Sequence, residues 1–142
     1  MNRASRLLIP LAIAVLGSGC MSVYRMPAGT PFASVRIPPG TTSWICANGP
    51  SQILTKGKDG RARIPAGERV TLGVNYAGSD GYMNYFCSAS VSLAPQAGEG
   101  YYQDFELEGE ACTAMVYHET NDKRTGLEFE PSLYRGGAGC TR

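Results

Sequence analysis

Apolar and polar side chains alternate along three stretches of this chain, residues 70–76, 85–93 and 101–108. A period of two is the pattern of a β-strand, whose successive side chains point to opposite faces. The chain is rich in turn formers, with 18 Gly and 9 Pro, and Asp59-Gly60 is a strong hairpin signal. No stretch sustains the 3.6-residue apolar period of a helix. We therefore predict an all-β fold, a small antiparallel β-sandwich of about seven to nine short strands.

The start of the chain has the order of a signal peptide. Arg3 and Arg6 precede an apolar run over residues 7–16, and small residues follow this run up to Cys20. The run is too short for a membrane-spanning helix, which requires about 20 apolar residues. We predict a signal peptide over residues 1–19.

The end of this segment, Leu16-Gly17-Ser18-Gly19-Cys20, resembles the lipobox of bacterial lipoproteins, although that family usually has Leu where Gly17 stands. The resemblance implies that the Cys20 thiol is diacylated, the bond before it cut and the new amino group acylated. Several acyl chains hold a protein durably on a bilayer. Met21 and Ser22 follow where an inner-membrane lipoprotein often has Asp, which favours the periplasmic face of the outer membrane. An ordinary secretory signal with a chance cysteine is the alternative.

The rest of the chain divides at the first strand-like run. Pro27, Gly29 and Pro31 indicate a short tether, so we predict a lipidated cysteine and tether over residues 20–31. The β-sandwich domain is predicted over residues 32–142. Hydrophobic residues make up 43% of the sequence, which is enough to form a core and excludes a disordered chain.

Four further cysteines, an even number in an exported chain, predict two disulfides. Three pairings are open. We favour Cys87 with Cys112, because both lie in strand-like runs separated by one intervening strand, which leaves Cys46 with Cys140. The long spacings and the single histidine do not fit a zinc site, so we predict no metal.

A second resemblance covers about 55 residues. The order of Ile64-Pro65-Ala66-Gly67, Cys87, the turn Pro95-Gln96-Ala97-Gly98 before Tyr101, and Cys112 is similar to that of small Gram-negative lipoproteins with a β-sandwich domain. The resemblance implies a fold and a location, and brings no catalytic residues with it.

The sequence contains no recognisable catalytic arrangement. His118 is the single histidine, and no serine lies in the turn motif of a hydrolase nucleophile. Lys56, Lys58 and Lys123 lie in polar, turn-like segments. We expect His118 to end a strand at the surface, and we predict a protein that is not an enzyme and has no cofactor. With 13 Lys and Arg against 12 Asp and Glu, the chain also lacks the basic surface of a nucleic-acid-binding protein.

Carboxylates occupy every second position from residue 104 to residue 110: Asp104, Glu106, Glu108 and Glu110. A glycosidase pair or a calcium site could be built from such a row. We interpret it instead as the solvated face of an amphipathic strand, because a strand spreads its ligands along a line whereas calcium sites need a loop that makes them converge. The cations predicted to balance this row across the sheet are Lys56, Lys58, Arg61 and Arg63.

The loop at residues 81–86 is the strongest candidate for a binding surface. Tyr82, Met83 and Tyr85 are amphipathic side chains of the kind that protein interfaces use, whereas Tyr101 has the strand parity of a core residue. We predict a non-enzymatic lipoprotein, anchored in the bilayer through Cys20, that contacts another envelope protein, including the case of an inhibitor or immunity protein. The alternative is a carbohydrate- or peptidoglycan-binding module, because tyrosine also stacks on sugars.

Overall fold

The computed structural model describes residues 20–109, 111–135 and 140. The predicted signal peptide, residues 1–19, lies outside the described residues. Nine strands follow one another along the chain: β1 (Phe32–Arg36), β2 (Thr42–Cys46), β3 (Gln52–Ile53), β4 (Arg61–Pro65), β5 (Val70–Ser79), β6 (Asn84–Leu93), β7 (Gly100–Glu108), β8 (Ala111–Glu119) and β9 (Leu127–Phe129). Within these described ranges we find no helix long and apolar enough to cross a membrane.

The strands form two sheets. One has the order β4-β1-β7-β8-β9, and the other has the order β3-β2-β5-β6. The prediction of an all-β sandwich is confirmed. One pair departs from the antiparallel rule, because β1 runs parallel to β7 with Val35 opposite Tyr101. The two sheets pack their apolar faces together, as the alternation along β5, β6 and β7 requires.

The core draws on both sheets about equally. From the four-stranded sheet come Ile45, Leu72, Val74, Val91 and Leu93, and from the five-stranded sheet come Val35, Ile64, Tyr101, Ala114 and Val116. These side chains are at most 4% exposed. Burial of each large one contributes about 1.5–3 kcal/mol relative to an exposed position. The core therefore lies between the sheets along the first half of β5, from Val70 to Val74, and the second half of β6, from Ala89 to Leu93.

A polar bridge crosses this core. Gln103, fully buried on β7, accepts a hydrogen bond from the Ser43 hydroxyl of β2 at 2.7 Å. Its amide nitrogen donates to the Gly73 carbonyl of β5 at 3.1 Å. A buried polar group is tolerated only when such partners satisfy it. The bridge connects β7 of one sheet to two strands of the other and helps to define how the sheets face each other.

Both predicted disulfides are present. Cys87–Cys112 joins β6 to β8 and thus one sheet to the other, with a Cα–Cα distance of 5.4 Å. Cys46–Cys140 joins the end of β2 to the C-terminal segment. Their pairing confirms the one favoured from the strand order.

The segment predicted as a tether makes its first backbone contact with the sheet soon after Cys20. The Ile53 N–H donates to the Ser22 carbonyl at 2.8 Å, and the Tyr24 N–H donates to the Ile53 carbonyl at 2.9 Å. Val23 thus forms a parallel bridge with Ile53 at the edge of β3. Ile53 pairs with Trp44 of β2, which in turn pairs with Gly73 of β5. Because Val23 runs parallel to β3 and β3 runs antiparallel to β2, the chain before Val23 runs toward the end of the sheet where Cys46 lies opposite Thr71.

Candidate interaction surface at the hairpin tip

The β5–β6 hairpin extends past the body of the sandwich. The two strands pair over all ten residues, from Val70 opposite Leu93 to Ser79 opposite Asn84. Two contacts, at the level where Tyr76 lies opposite Cys87, connect the hairpin to the facing sheet. The Tyr76 ring stacks on Phe105 with 5.1 Å between centroids, and Cys87, which lies opposite Tyr76, is bonded to Cys112. We call residues 77–86, beyond these contacts, the hairpin tip.

Large apolar side chains of the hairpin tip are open to solvent. Tyr82 is 98% exposed, Phe86 73% and Met83 61%, and Tyr85 is 36% exposed. Isolated apolar residues are common on protein surfaces, but four exposed ones within five consecutive positions are not. Tyr85 and Phe86 are successive residues of β6 and point to opposite faces of the hairpin, so the four side chains form an apolar patch that surrounds the tip. Exposed apolar patches are typical of interaction surfaces.

The turn itself is well defined. Asp80 Oδ1 accepts hydrogen bonds from the backbone N–H groups of Tyr82 at 2.9 Å and Met83 at 2.8 Å. Gly81 has a φ of +92°, a conformation that side-chain-bearing residues rarely adopt. The Asp80 carboxylate thus organises the turn in the manner of an Asx-turn, and Gly81 permits it. Tyr82 and Met83 are thereby held at the outermost point of the hairpin.

A third hydrogen bond ties the turn to β6. The Tyr85 hydroxyl donates to Asp80 Oδ2 at 2.6 Å. This bond, followed by those from the Met83 and Tyr82 amides, lowers the Asp80 pKa from 3.8 to about 2. The same contact with the Asp80 carboxylate raises the pKa of the Tyr85 hydroxyl. At neutral pH the ionised carboxylate and the protonated phenol are therefore both maintained.

The structure brings the three predicted binding residues, Tyr82, Met83 and Tyr85, together at this tip. Sequence reasoning omitted Phe86 as a binding residue, although Phe86 is more exposed than Tyr85. The signal was present, because Phe86 shares its strand parity with Ser88 and Ser90, which face solvent. Tyr101 is 1% exposed, and its hydroxyl accepts a hydrogen bond from the Gln96 N–H, as expected of a core residue.

The acidic row lies on the outer face of the five-stranded sheet. Asp104 is opposite Met115, Glu106 opposite Thr113 and Glu108 opposite Ala111, while Glu110 lies outside the described residues. The expected balance by cations across the sheet is wrong here, because no basic residue lies at the paired positions of β8. No group of three or more metal-ligating side chains occurs among residues 20–109, 111–135 and 140.

Two arginines of this sheet instead form ion pairs with a carboxylate of β8. Arg61 of β4 contacts Glu119 at 2.5 Å, and Arg36 of β1 contacts it at 3.4 Å. Arg36 and Glu119 border an open cleft of about 820 Å³, lined also by Glu99, Tyr102 and Asn121. The mixed and mutually neutralised charges of this cleft do not define a ligand.

His118 lies near the end of β8, half-buried. Its Nε2 is 2.8 Å from a Glu99 carboxylate oxygen, and its ring packs against Tyr101 with 5.5 Å between centroids. Sequence reasoning expected a surface position at the end of a strand but did not identify Glu99 as its partner.

Comparison with family models, with curated proteins and with solved structures finds no match to this chain.

Proposed function

We propose that this chain is an exported lipoprotein that acts without catalysis, by contacting another protein of the cell envelope through its hairpin tip. The acylated residue is Cys20, exposed and unpaired, and the location is the periplasmic face of the outer membrane. The single observation that supports the contact is the apolar patch of Tyr82, Met83, Tyr85 and Phe86 on a well-defined turn.

The hairpin tip adds little to the stability of the fold, and this supports a role in binding. A two-stranded ribbon without a packed face contributes little stability of its own, and its exposed aromatic side chains gain nothing from the core. A shorter hairpin that ends at Tyr76 and Cys87 would retain the stacking with Phe105 and the disulfide. The additional residues therefore serve a purpose other than stabilising the fold.

The position of the tip fits an anchored protein. Cys20 precedes a segment that runs toward the end of the sheet where β5 begins, whereas the tip follows the end of β5. A ten-residue strand spans about 30 Å. Acyl chains on Cys20 would thus leave the tip accessible to a partner away from the bilayer surface.

In-cell photo-crosslinking tests the proposal. A photo-reactive amino acid replaces Met83 in the full chain, and a second strain carries it at Phe129, an equally prominent aromatic residue on β9 (74% exposed). We expect one protein to crosslink at position 83 and not at position 129, and Tyr82→Ala with Phe86→Ala to reduce its yield at least about fivefold, because aromatic anchors dominate interface energy.

Two controls complete the experiment. Cys20→Ser should move the chain from the membrane fraction to the soluble fraction and remove the mass of the acyl chains. Crosslinking to protein at position 129 alone would place the interface elsewhere and overturn the proposed role of the tip. Crosslinking to wall glycan alone would favour the carbohydrate-binding alternative, in which the exposed Tyr82 ring stacks on a sugar.

A further inference from the structure

The end of the sandwich that carries the hairpin tip is acidic. Among the described residues of segments 74–90 and 103–115, the charged side chains are Asp80, Asp104, Glu106 and Glu108, and no Lys, Arg or His occurs in either segment. Glu106 and Glu108 are exposed on the outer face of β7. None of the four carboxylates takes part in an ion pair with another described residue. The negative charge at this end is therefore available to a partner.

The acidic strand and the apolar tip lie close together. Leu107, between Glu106 and Glu108, is opposite Cys112, and the disulfide holds Cys112 with its Cα 5.4 Å from that of Cys87. Cys87 lies directly before the tip, one residue from Phe86. Leu107 itself is 39% exposed at this end, on the inner face of β7, whereas Glu106 and Glu108 point to the outer face.

One exposed cation, Arg135, lies at this end, where it lines a groove with Ser88 and Cys112, and the four carboxylates outnumber it. Other cations lie on a different part of the molecule. Lys56 and Lys58 are exposed in the connection between β3 and β4, and Arg63 on β4 packs over the Phe32 ring at 4.6 Å. In the five-stranded sheet, β1 separates β4 from β7. The separation gives the molecule an acidic end with exposed aromatic side chains and a basic side away from it.

This combination selects among possible partners. A second copy would bring like charges together if it bound tip to tip, and anionic surfaces such as acidic lipids or nucleic acids would be repelled. A protein surface that presents Arg or Lys around an apolar site would gain from both features, and Arg would also gain from stacking on the exposed Tyr82 ring.

We propose that the hairpin tip docks onto a basic protein surface, with Tyr82 and Met83 entering an apolar site and Glu106 and Glu108 facing arginine or lysine side chains beside it, along the outer face of the five-stranded sheet. This inference rests on the proposed function and names the chemistry of the partner. Charge complementarity of this kind speeds association and gives specificity more than it raises affinity.

A random twelve-residue peptide library displayed on phage serves as the probe. It is selected against the full-length Cys20→Ser chain, and the best peptide is then synthesised for titration. We expect selected peptides to be cationic with at least one aromatic or aliphatic residue. Glu106→Gln with Glu108→Gln should weaken binding about fivefold to tenfold, as exposed charge pairs do. The matched control, Lys56→Gln with Lys58→Gln, should leave the affinity within about twofold, since rim charges act locally.

The outcomes separate this inference from the proposed function. Peptides that need Tyr82 and Met83 but carry no positive charge, and that bind the Glu106→Gln/Glu108→Gln variant equally well, would overturn the basic partner and leave the tip as the interface. Peptides that bind independently of Tyr82 and Met83 would overturn both. No enrichment over a bare support would also count against the inference.

Discussion

At the scale of single residues, Gln103 illustrates what strand parity predicts and what it does not. It alternates in phase with Tyr101, Phe105 and Leu107, so the pattern alone places it on the apolar face. Its partners could not be predicted, because Ser43 is 60 residues away and the third group is a backbone carbonyl, at Gly73. Hydrogen bonds between distant segments depend on the arrangement of the sheets, which local periodicity does not encode.

Replacement of this glutamine tests the bridge. Gln103→Leu retains much of the volume but leaves the buried Ser43 hydroxyl without its acceptor, so we expect the free energy of unfolding to fall by about 2 kcal/mol. Urea denaturation measures the change.

The double variant provides the control. Ser43→Ala added to Gln103→Leu removes the unsatisfied hydroxyl and should recover part of the lost stability. If the losses in the free energy of unfolding caused by the two single substitutions add in the double variant, the two side chains do not interact.

At the scale of elements, the alternating strands of the β5–β6 hairpin were predicted well, but its turn was not. Alternation defines both strands, and Gly81 marks the turn, whereas Gly78 lies within β5 opposite Tyr85. The role of Asp80 could not be predicted, because an aspartate near a glycine fits several turn types. Only the folded hairpin shows that one carboxylate receives two amides and the Tyr85 hydroxyl.

Acid should loosen the turn within a defined range of pH. Because the Asp80 pKa falls from 3.8 to about 2 on folding, the ionised carboxylate stabilises the turn above pH 3.8, and this contribution is lost as the pH falls toward 2. NMR measurement of the Tyr82 and Met83 amide shifts across this range should follow the titration of Asp80.

Two substitutions separate the contacts. Asp80→Ala should speed hydrogen exchange of the Tyr82 and Met83 amides at neutral pH, whereas Tyr85→Phe removes only the hydroxyl bond and should raise the Asp80 pKa toward its ordinary value. Amide shifts of the wild type that stay constant between pH 4 and pH 2 would contradict the assignment.

At the scale of the whole molecule, the sequence indicated the two-sheet architecture and the disulfide pairing, but not the order of strands. The pairing was accessible because Cys87 and Cys112 lie on recognisable strands. The parallel alignment of β1 with β7 was not, since β1 is short, alternates weakly and pairs with a strand more than sixty residues away. Pairings of this kind are decided by the packing of complete sheets.

The two disulfides should differ in their contribution to stability. Cys46–Cys140 spans a sequence separation of 94 and Cys87–Cys112 one of 25. The chain-entropy relation predicts losses of about 4.7 and about 3.5 kcal/mol when each pair is replaced by alanines. Guanidinium denaturation of the two double variants measures both.

A second readout distinguishes their positions. Loss of Cys87–Cys112 should also speed hydrogen exchange in the hairpin tip, because this bond lies next to Phe86, whereas loss of Cys46–Cys140 should not. Equal exchange at the tip in the two variants would show that the disulfide does not support it.

The pairing of Ser22 and Tyr24 with Ile53 has a consequence for how far the protein extends. Two residues of chain, Cys20 and Met21, precede the first of these hydrogen bonds, which is a slack of about 7 Å. With acyl chains on Cys20, this short segment would hold the domain close to the membrane surface. The distance from the membrane to the hairpin tip would then be set by the length of the folded domain. A partner would then have to present its binding site at a nearly constant height above the lipid surface, and residues inserted after Met21 would relax that requirement.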